Sequence, residues 1–208
     1  MMTIIRSIRF HLVFIVLTLF TSFRFFGQNT DINILRKMNS EQNSLTVITS
    51  QLISDFTSLF VYLSIFILFL SGYFFHKIIL RKASLFVLLS VALADLLSSL
   101  IKVIVQRDRP YQTYLDIIKY GYGGNYSFPS GHTTEAFAFA TAMALTFRKW
   151  YFIIPVYTWA FLVGISRMNL GTHYPSDVLA GIILGSSSAF GIHLINKKII
   201  KRRDQLPG

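Results

Sequence analysis

The run ASLFVLLSVALADLLSSLIKVIV, residues 83–105, carries only Asp95 and Lys102 as charges among its 23 positions. As a helix it would reach about 34 Å, enough to cross a hydrocarbon core about 30 Å thick. Five more apolar runs accompany it, at residues 11–26, 59–75, 133–147, 151–165 and 178–195, most of them punctuated by charge, Gly or Pro. The pattern predicts an all-α fold, a polytopic membrane helix bundle with six transmembrane helices. The basic turn Arg148-Lys149-Trp150 divides the fourth run from the fifth. Arg6 and Arg9 ahead of the first run resemble a signal peptide, but Thr21-Ser22-Phe23-Arg24 is a poor cleavage site, so this run is read as an anchor.

Composition agrees with this reading. Of 208 residues, 53% are hydrophobic and 14% charged, outside the range of ordinary soluble domains. Six spans would take about 120 residues, which leaves no room for a separate soluble domain, so residues 1–208 read as one integral membrane domain. The absence of cysteine excludes disulfides, thiolate metal sites and Cys nucleophiles. The net charge of +11 is scattered between apolar runs rather than gathered on one soluble face, which favours anionic lipid over nucleic acid as a partner.

Of the 20 Lys and Arg residues, 12 fall on the side that holds both termini and 8 on the other. The excess predicts cytoplasmic termini. Residues 31–56 are polar, with Ile32, Leu35 and Met38 and then Leu45, Ile48 and Leu52 at helical spacing, as expected of short amphipathic helices on the outer surface.

Three polar clusters interrupt the apolar chain, all at the outer face under this topology. Lys102 and Arg109 lie seven residues apart and would share a helix face if the third span continued to Pro110, while Arg107 would point elsewhere. Phe128-Pro129-Ser130-Gly131-His132 follows the glycine-rich loop Gly121-Tyr122-Gly123-Gly124 and precedes the fourth span. Ser130 is placed to cap that helix, whose N–H groups would favour an anion, and Gly131 allows close approach. Ser166-Arg167 leads to His173 and Asp177, with Pro175 suited to the first turn of the sixth span. A carboxylate four residues after a histidine can fix its tautomer and leave the other ring nitrogen as nucleophile or base.

In this order, Lys-x6-Arg-Pro, Pro-Ser-Gly-His and Ser-Arg-x5-His-x3-Asp resemble the three-part signature of the type 2 phosphatidic acid phosphatase superfamily, over residues 102–177. The six apolar runs resemble its membrane branch rather than the soluble vanadium-dependent haloperoxidases that share the signature. The resemblance implies that Lys102, Arg109 and Arg167 bind phosphate oxygens, supported by Ser130 and Gly131. His173 would be the nucleophile, forming a phosphohistidine and oriented by Asp177, and His132 would protonate the leaving group and later activate water. Phosphoryl transfer mostly demands charge stabilisation and an in-line nucleophile, and three fixed cations can supply the first, so neither metal nor cofactor is expected.

The expected activity is hydrolysis of a phosphomonoester or diphosphate on a lipid headgroup. A lipid-to-lipid phosphotransferase would use the same residues, and a non-catalytic lipid or anion transporter would use the cations alone. Undecaprenyl diphosphate, phosphatidylglycerol phosphate, phosphatidate and phosphorylated lipid A all fit this chemistry. The expected location is the bacterial inner membrane, with the site on the periplasmic side. Asp95 interrupts the third span seven residues before Lys102, and an intramembrane carboxylate is costly unless paired or functional. A stripe Asp95-Ser99-Lys102 is therefore expected.

Overall fold

The computed structural model describes residues 28–40 and 42–203, all helix or connection. Two short helices, α1 (Gln28–Ser40) and α2 (Ser44–Asp55), precede α3 (Thr57–Phe74) and α4 (Ile78–Val105). The single turn α5 (Pro110–Thr113) opens a long loop, which is followed by α6 (Gly131–Phe147), α7 (Trp150–Asn169) and α8 (Pro175–Arg203). Among the described residues, four stretches are apolar and long enough to cross a membrane: Thr57–Phe74, Ile78–Thr113, Trp150–Asn169 and Pro175–Ile199.

Six spans is more than the described residues carry. The run at 11–26 lies outside them. α6 has 17 residues, and its side chains from Thr133 to Ala142 are all buried, because it is the central helix, packed chiefly on α8, α7 and α4. A helix enclosed by other helices needs no lipid-facing apolar surface, which is why Thr133, Thr134, Glu135 and Thr141 are accommodated within it.

The closest approach, between α6 and α8, depends on glycines one turn apart on α8. A Cβ on Gly181 would meet Ser130 O at 2.9 Å and Thr133 Cβ at 3.0 Å, and one on Gly185 would run into the α6 backbone at Thr134 and Ala138. Small residues at this spacing let helix backbones touch in a membrane, where lipid offers no hydrophobic drive to association. Val61, Ile65, Val87, Val91, Ala138, Phe139 and Ala189 form an apolar cluster shared by α3, α4, α6 and α8.

Residues 31–56 are helical, as expected, but the two helices behave differently. On α1, Ile32 and Leu35 are buried against Ile117 and Tyr174, so this helix packs onto the loops around the site. On α2, the apolar face of Leu45, Ile48 and Leu52 stays exposed, as suits contact with lipid.

Candidate active site

α4 stops before the proline. Val105 is its last residue and Gln106 is left-handed at φ 48°, so Lys102 and Arg109 do not share a helix face. They converge because residues 106–109 leave the helix and turn Arg109 back. Its guanidinium is 4% exposed and is gripped by three carbonyls, with Nε donating to Gly124 O (2.6 Å), Nη1 to Thr172 O (2.9 Å) and Nη2 to Tyr126 O (2.9 Å). The glycine loop makes this possible: a Cβ on Gly123 would lie 3.1 Å from the guanidinium carbon. Lys102 Nζ donates to Pro129 O (2.6 Å) and Tyr126 O (3.3 Å). Arg167, 2% exposed, donates from Nη2 to Tyr122 O (2.8 Å) and from Nη1 to Ser54 Oγ, while its buried Nε has no partner.

All three cations are therefore held mainly by neutral oxygens. Carbonyls satisfy donors without cancelling charge, and each cation keeps at least one N–H uncommitted by the bonds above. The result is a cradle of undiminished positive charge, suited to a phosphate. Gly131 opens α6 beside it, with only Lys102 Cε, at 3.9 Å, near a would-be Cβ. A cavity of about 650 Å³ is lined here by Lys102, Arg109, Gly131, His132, Arg167 and His173.

Ser130 does not cap α6 with its side chain. It occupies the N-cap position, but its hydroxyl pairs with Thr133 Oγ1 at 2.8 Å and its own N–H donates to Asp177 O at 3.0 Å. Wholly buried, Ser130 ties the start of α6 to α8; the anion-facing N–H groups at this end belong to Gly131 and beyond.

His173, on the turn before α8, is 2% exposed. Its Nε2 lies 3.2 Å from Arg109 Nη1 and its Nδ1 lies 3.5 Å from Asp177 Oδ2, without hydrogen-bond alignment. A guanidinium can only donate, so Nε2 must offer a lone pair and the proton belongs on Nδ1, facing the carboxylate. The ring nitrogen on the Arg109 side is therefore the unprotonated one.

Asp177 is fully buried and saturated. Oδ2 accepts from Tyr174 N–H (2.9 Å) and the Ser127 hydroxyl, and Oδ1 accepts from Arg107 Nη1 at 2.6 Å. Arg107 thus does not point away. It lies over the Tyr174 ring at 3.9 Å and pairs through Nη2 with Asp31 (3.1 Å), whose carboxylate also accepts from Ser176 N–H at 3.0 Å. Unlike the cradle cations, Arg107 has its charge taken up by two carboxylates, which suits a positioning role.

The family model described as the PAP2 superfamily matches residues 83–201. The chain belongs to the PAP2 superfamily. Among PAP2-related proteins, it is 32% identical over 121 residues to "Lipid A 4'-phosphatase" from Bacteroides thetaiotaomicron, covering 55% of this chain and 54% of that one. It is 33% identical over 131 residues to "Undecaprenyl-diphosphatase" from Sulfolobus acidocaldarius, covering 61% and 62%. The chain therefore spans little more than half the length of these curated relatives. Its fold matches the crystal structure of a transmembrane PAP2 type phosphatidylglycerolphosphate phosphatase from Bacillus subtilis, with TM-score 0.76, 25% identity and coverage of 91% of this chain and 96% of that one. LpxE from Aquifex aeolicus shares the fold, with TM-score 0.68, 23% identity and coverage of 78% and 94%.

The PAP2 match begins at residue 83, so Asp31, Ser54 and Ser58 come from helices outside it. Asp31 was the member of the site least visible in sequence. Its one signal is a carboxylate beside the apolar pair Ile32 and Leu35 on a helix that docks by that face.

Burial, helped by the Arg167 and Arg109 charges and opposed by Asp177, pushes the His173 imidazole from its ordinary 6.5 down to about 3. It stays neutral in the folded protein while the unfolded chain takes up a proton near 6.5, so stability is lost as pH falls from about 6.5 toward 3. The slope contributed by this one group is at most about 1.4 kcal/mol per pH unit. Detergent-solubilised protein melted at pH 7 and pH 5 should lose less stability as His173→Gln than as wild type. Equal losses would show that the imidazole protonates in the folded state.

Proposed function

We propose that the protein is a lipid phosphatase that cleaves a phosphate from a lipid headgroup through a phosphohistidine on His173. The observation that carries this reading is the orientation of His173, with Nε2 turned to Arg109 at a cavity lined also by Lys102 and Arg167, cations whose charge is held but not neutralised. The phosphate would take the uncommitted donors of Lys102, Arg109 and Arg167 and the N-terminal N–H groups of α6 at Gly131. His173 Nε2 would form the P–N bond as the P–O bond to the lipid breaks, and the departing oxygen would take a proton from His132, which the bound phosphate dianion would hold as imidazolium. His132, now neutral, would accept a proton from water as that water attacks phosphorus, and cleavage of the P–N bond would release phosphate and restore His173. Asp177 would stabilise the positive ring through Nδ1–H in both steps.

The same reading gives the chain six spans, with residues 11–26 as the first and α6 as the fourth, cytoplasmic termini, and the site at the outer face of a bacterial inner membrane. The names of the lipid A phosphatases and the undecaprenyl diphosphatase among its relatives support a lipid phosphate as substrate.

Phosphate release from a panel of lipid phosphates by purified protein is the test, with lipid products resolved by chromatography. Water as acceptor should give free phosphate and one dephosphorylated lipid. A second phosphorylated lipid in place of free phosphate would make the enzyme a phosphotransferase. The cradle is built from side-chain cations, so release should continue in EDTA after dialysis. Loss restored specifically by Mg²⁺ or Mn²⁺ would overturn the metal-free mechanism.

A further inference from the structure

The cavity does not end at the cradle. It continues into the bundle past a band of acceptors that the phosphoryl chemistry leaves unused: Asp95, Ser98 and Ser99 on α4, Glu135 on α6, and Ser58 and Tyr62 on α3. α4 runs toward the cradle and α6 runs away from it, so Ser98 lies about 6 Å deeper than Lys102, and Glu135 about 4.5 Å deeper than His132. Asp95, seven residues before Lys102, lies about 10 Å deeper, so three helices bring polar atoms to a band about 4–10 Å below the cradle.

This band is only partly satisfied. Ser58 Oγ donates to Glu135 Oε2 at 2.7 Å, and Tyr62 Oη donates to Asp95 Oδ2 at 3.0 Å. Glu135 Oε1 and Ser98 Oγ are buried without a partner, in cavity-lining residues that are 5% and 3% exposed. Unsatisfied polar atoms are rare and costly in protein interiors, and carboxyl groups within a bilayer are costlier still.

We propose that Glu135, Ser98 and Asp95 form a headgroup subsite beneath the cradle that accepts hydrogen bonds from the hydroxyl or amide groups of a phosphorylated sugar. This rests on reading the site as that of a lipid phosphatase. In such a lipid the sugar lies between the phosphate and the acyl chains, at the depth of the acceptor band. A dialkylglycerol phosphate brings almost no donors to that depth. The subsite therefore selects by attraction for the sugar lipid and by acceptors left unpaired against the glycerol lipid.

The test compares kcat/KM for an acylated glucosamine phosphate with that for a dialkylglycerol phosphate of matched chain length. Wild type should favour the sugar lipid by about 2- to 10-fold for each hydrogen bond made to these buried acceptors. Glu135→Leu and Asp95→Leu should bring the ratio toward one. Glu135→Gln keeps an acceptor oxygen and should retain most of the preference. Should either Leu variant melt early in detergent, Ser98→Ala and Glu135→Gln still read the ratio. Hydrolysis of both lipids with no preference, or equal loss on both in the variants, overturns the subsite and leaves the phosphatase reading intact. Release from neither lipid by wild type overturns that reading and the subsite with it.

Discussion

Replacing His173 with Ala should lower turnover by about 10⁴- to 10⁶-fold on every substrate, the scale seen when a catalytic nucleophile is removed. His132→Ala should behave differently. General acid catalysis contributes about 10²–10⁴-fold, and less when the leaving group departs readily as an anion. The two variants are therefore best separated on an activated aryl phosphate, following release of the phenol in a rapid-mixing burst. His132→Ala should keep a normal burst and then stall, because water activation in the second step also depends on it, whereas His173→Ala should show no burst. Equal loss of the burst in both variants would assign His132 to phosphate binding instead.

Asp177→Asn should cost about 10⁴-fold in kcat, by the logic that an amide in place of an orienting carboxylate turns the imidazole to the wrong tautomer. Arg107→Leu should cost about 10²- to 10³-fold and about 2–3 kcal/mol of stability, because it strands the buried Asp177 and Asp31 carboxylates. Since Arg107 acts only through Asp177, the double variant should be little slower than Asp177→Asn alone. Arg107→Lys should recover most of the stability but less of the rate, because an ammonium lacks the fork that spans two carboxylates. Losses that multiply in the double variant would show that Arg107 contacts substrate directly. Melting temperatures in detergent separate a folding defect from a rate defect.

The meeting of His173 and Asp177 was legible in the sequence because spacing at helix ends is geometrically restrictive. His173 and Asp177 flank Pro175, so a four-residue interval across a helix start brings ring and carboxylate together in almost any fold. Lys102 and Arg109 were legible as a pair for a reason that did not hold: the helix ends at Val105, and three loop carbonyls turn Arg109 inward. The fate of Arg107 could not be read from periodicity, because it lies beyond the helix and its direction is set by Asp31, some 76 residues earlier. Ser130 looked like a cap because serines at helix starts usually are, but burial against α8 left its hydroxyl nearer Thr133 than any free N–H.

Hydrophobic runs revealed a membrane bundle but could not rank the helices by position. α6 read as a short apolar span and proved to be the enclosed centre, a role written in Gly181 and Gly185 on the helix that packs against it. Asp95 was expected to be functional or paired, in a stripe with Ser99 and Lys102, but it accepts from Tyr62 on α3 while Lys102 turns to the loop carbonyls. A hydroxyl on a neighbouring helix has no sequence relation to the carboxylate it satisfies.

The phosphoenzyme itself can be sought directly. Wild type mixed with a ³²P-labelled lipid phosphate, quenched in alkali within the first turnover and digested should yield one labelled peptide. The label should be acid-labile and alkali-stable, as phosphohistidine is, and should map to His173, with His132→Ala increasing its amount. Label on His132, or turnover with no protein-bound phosphate at any quench time in that variant, would contradict covalent catalysis by His173.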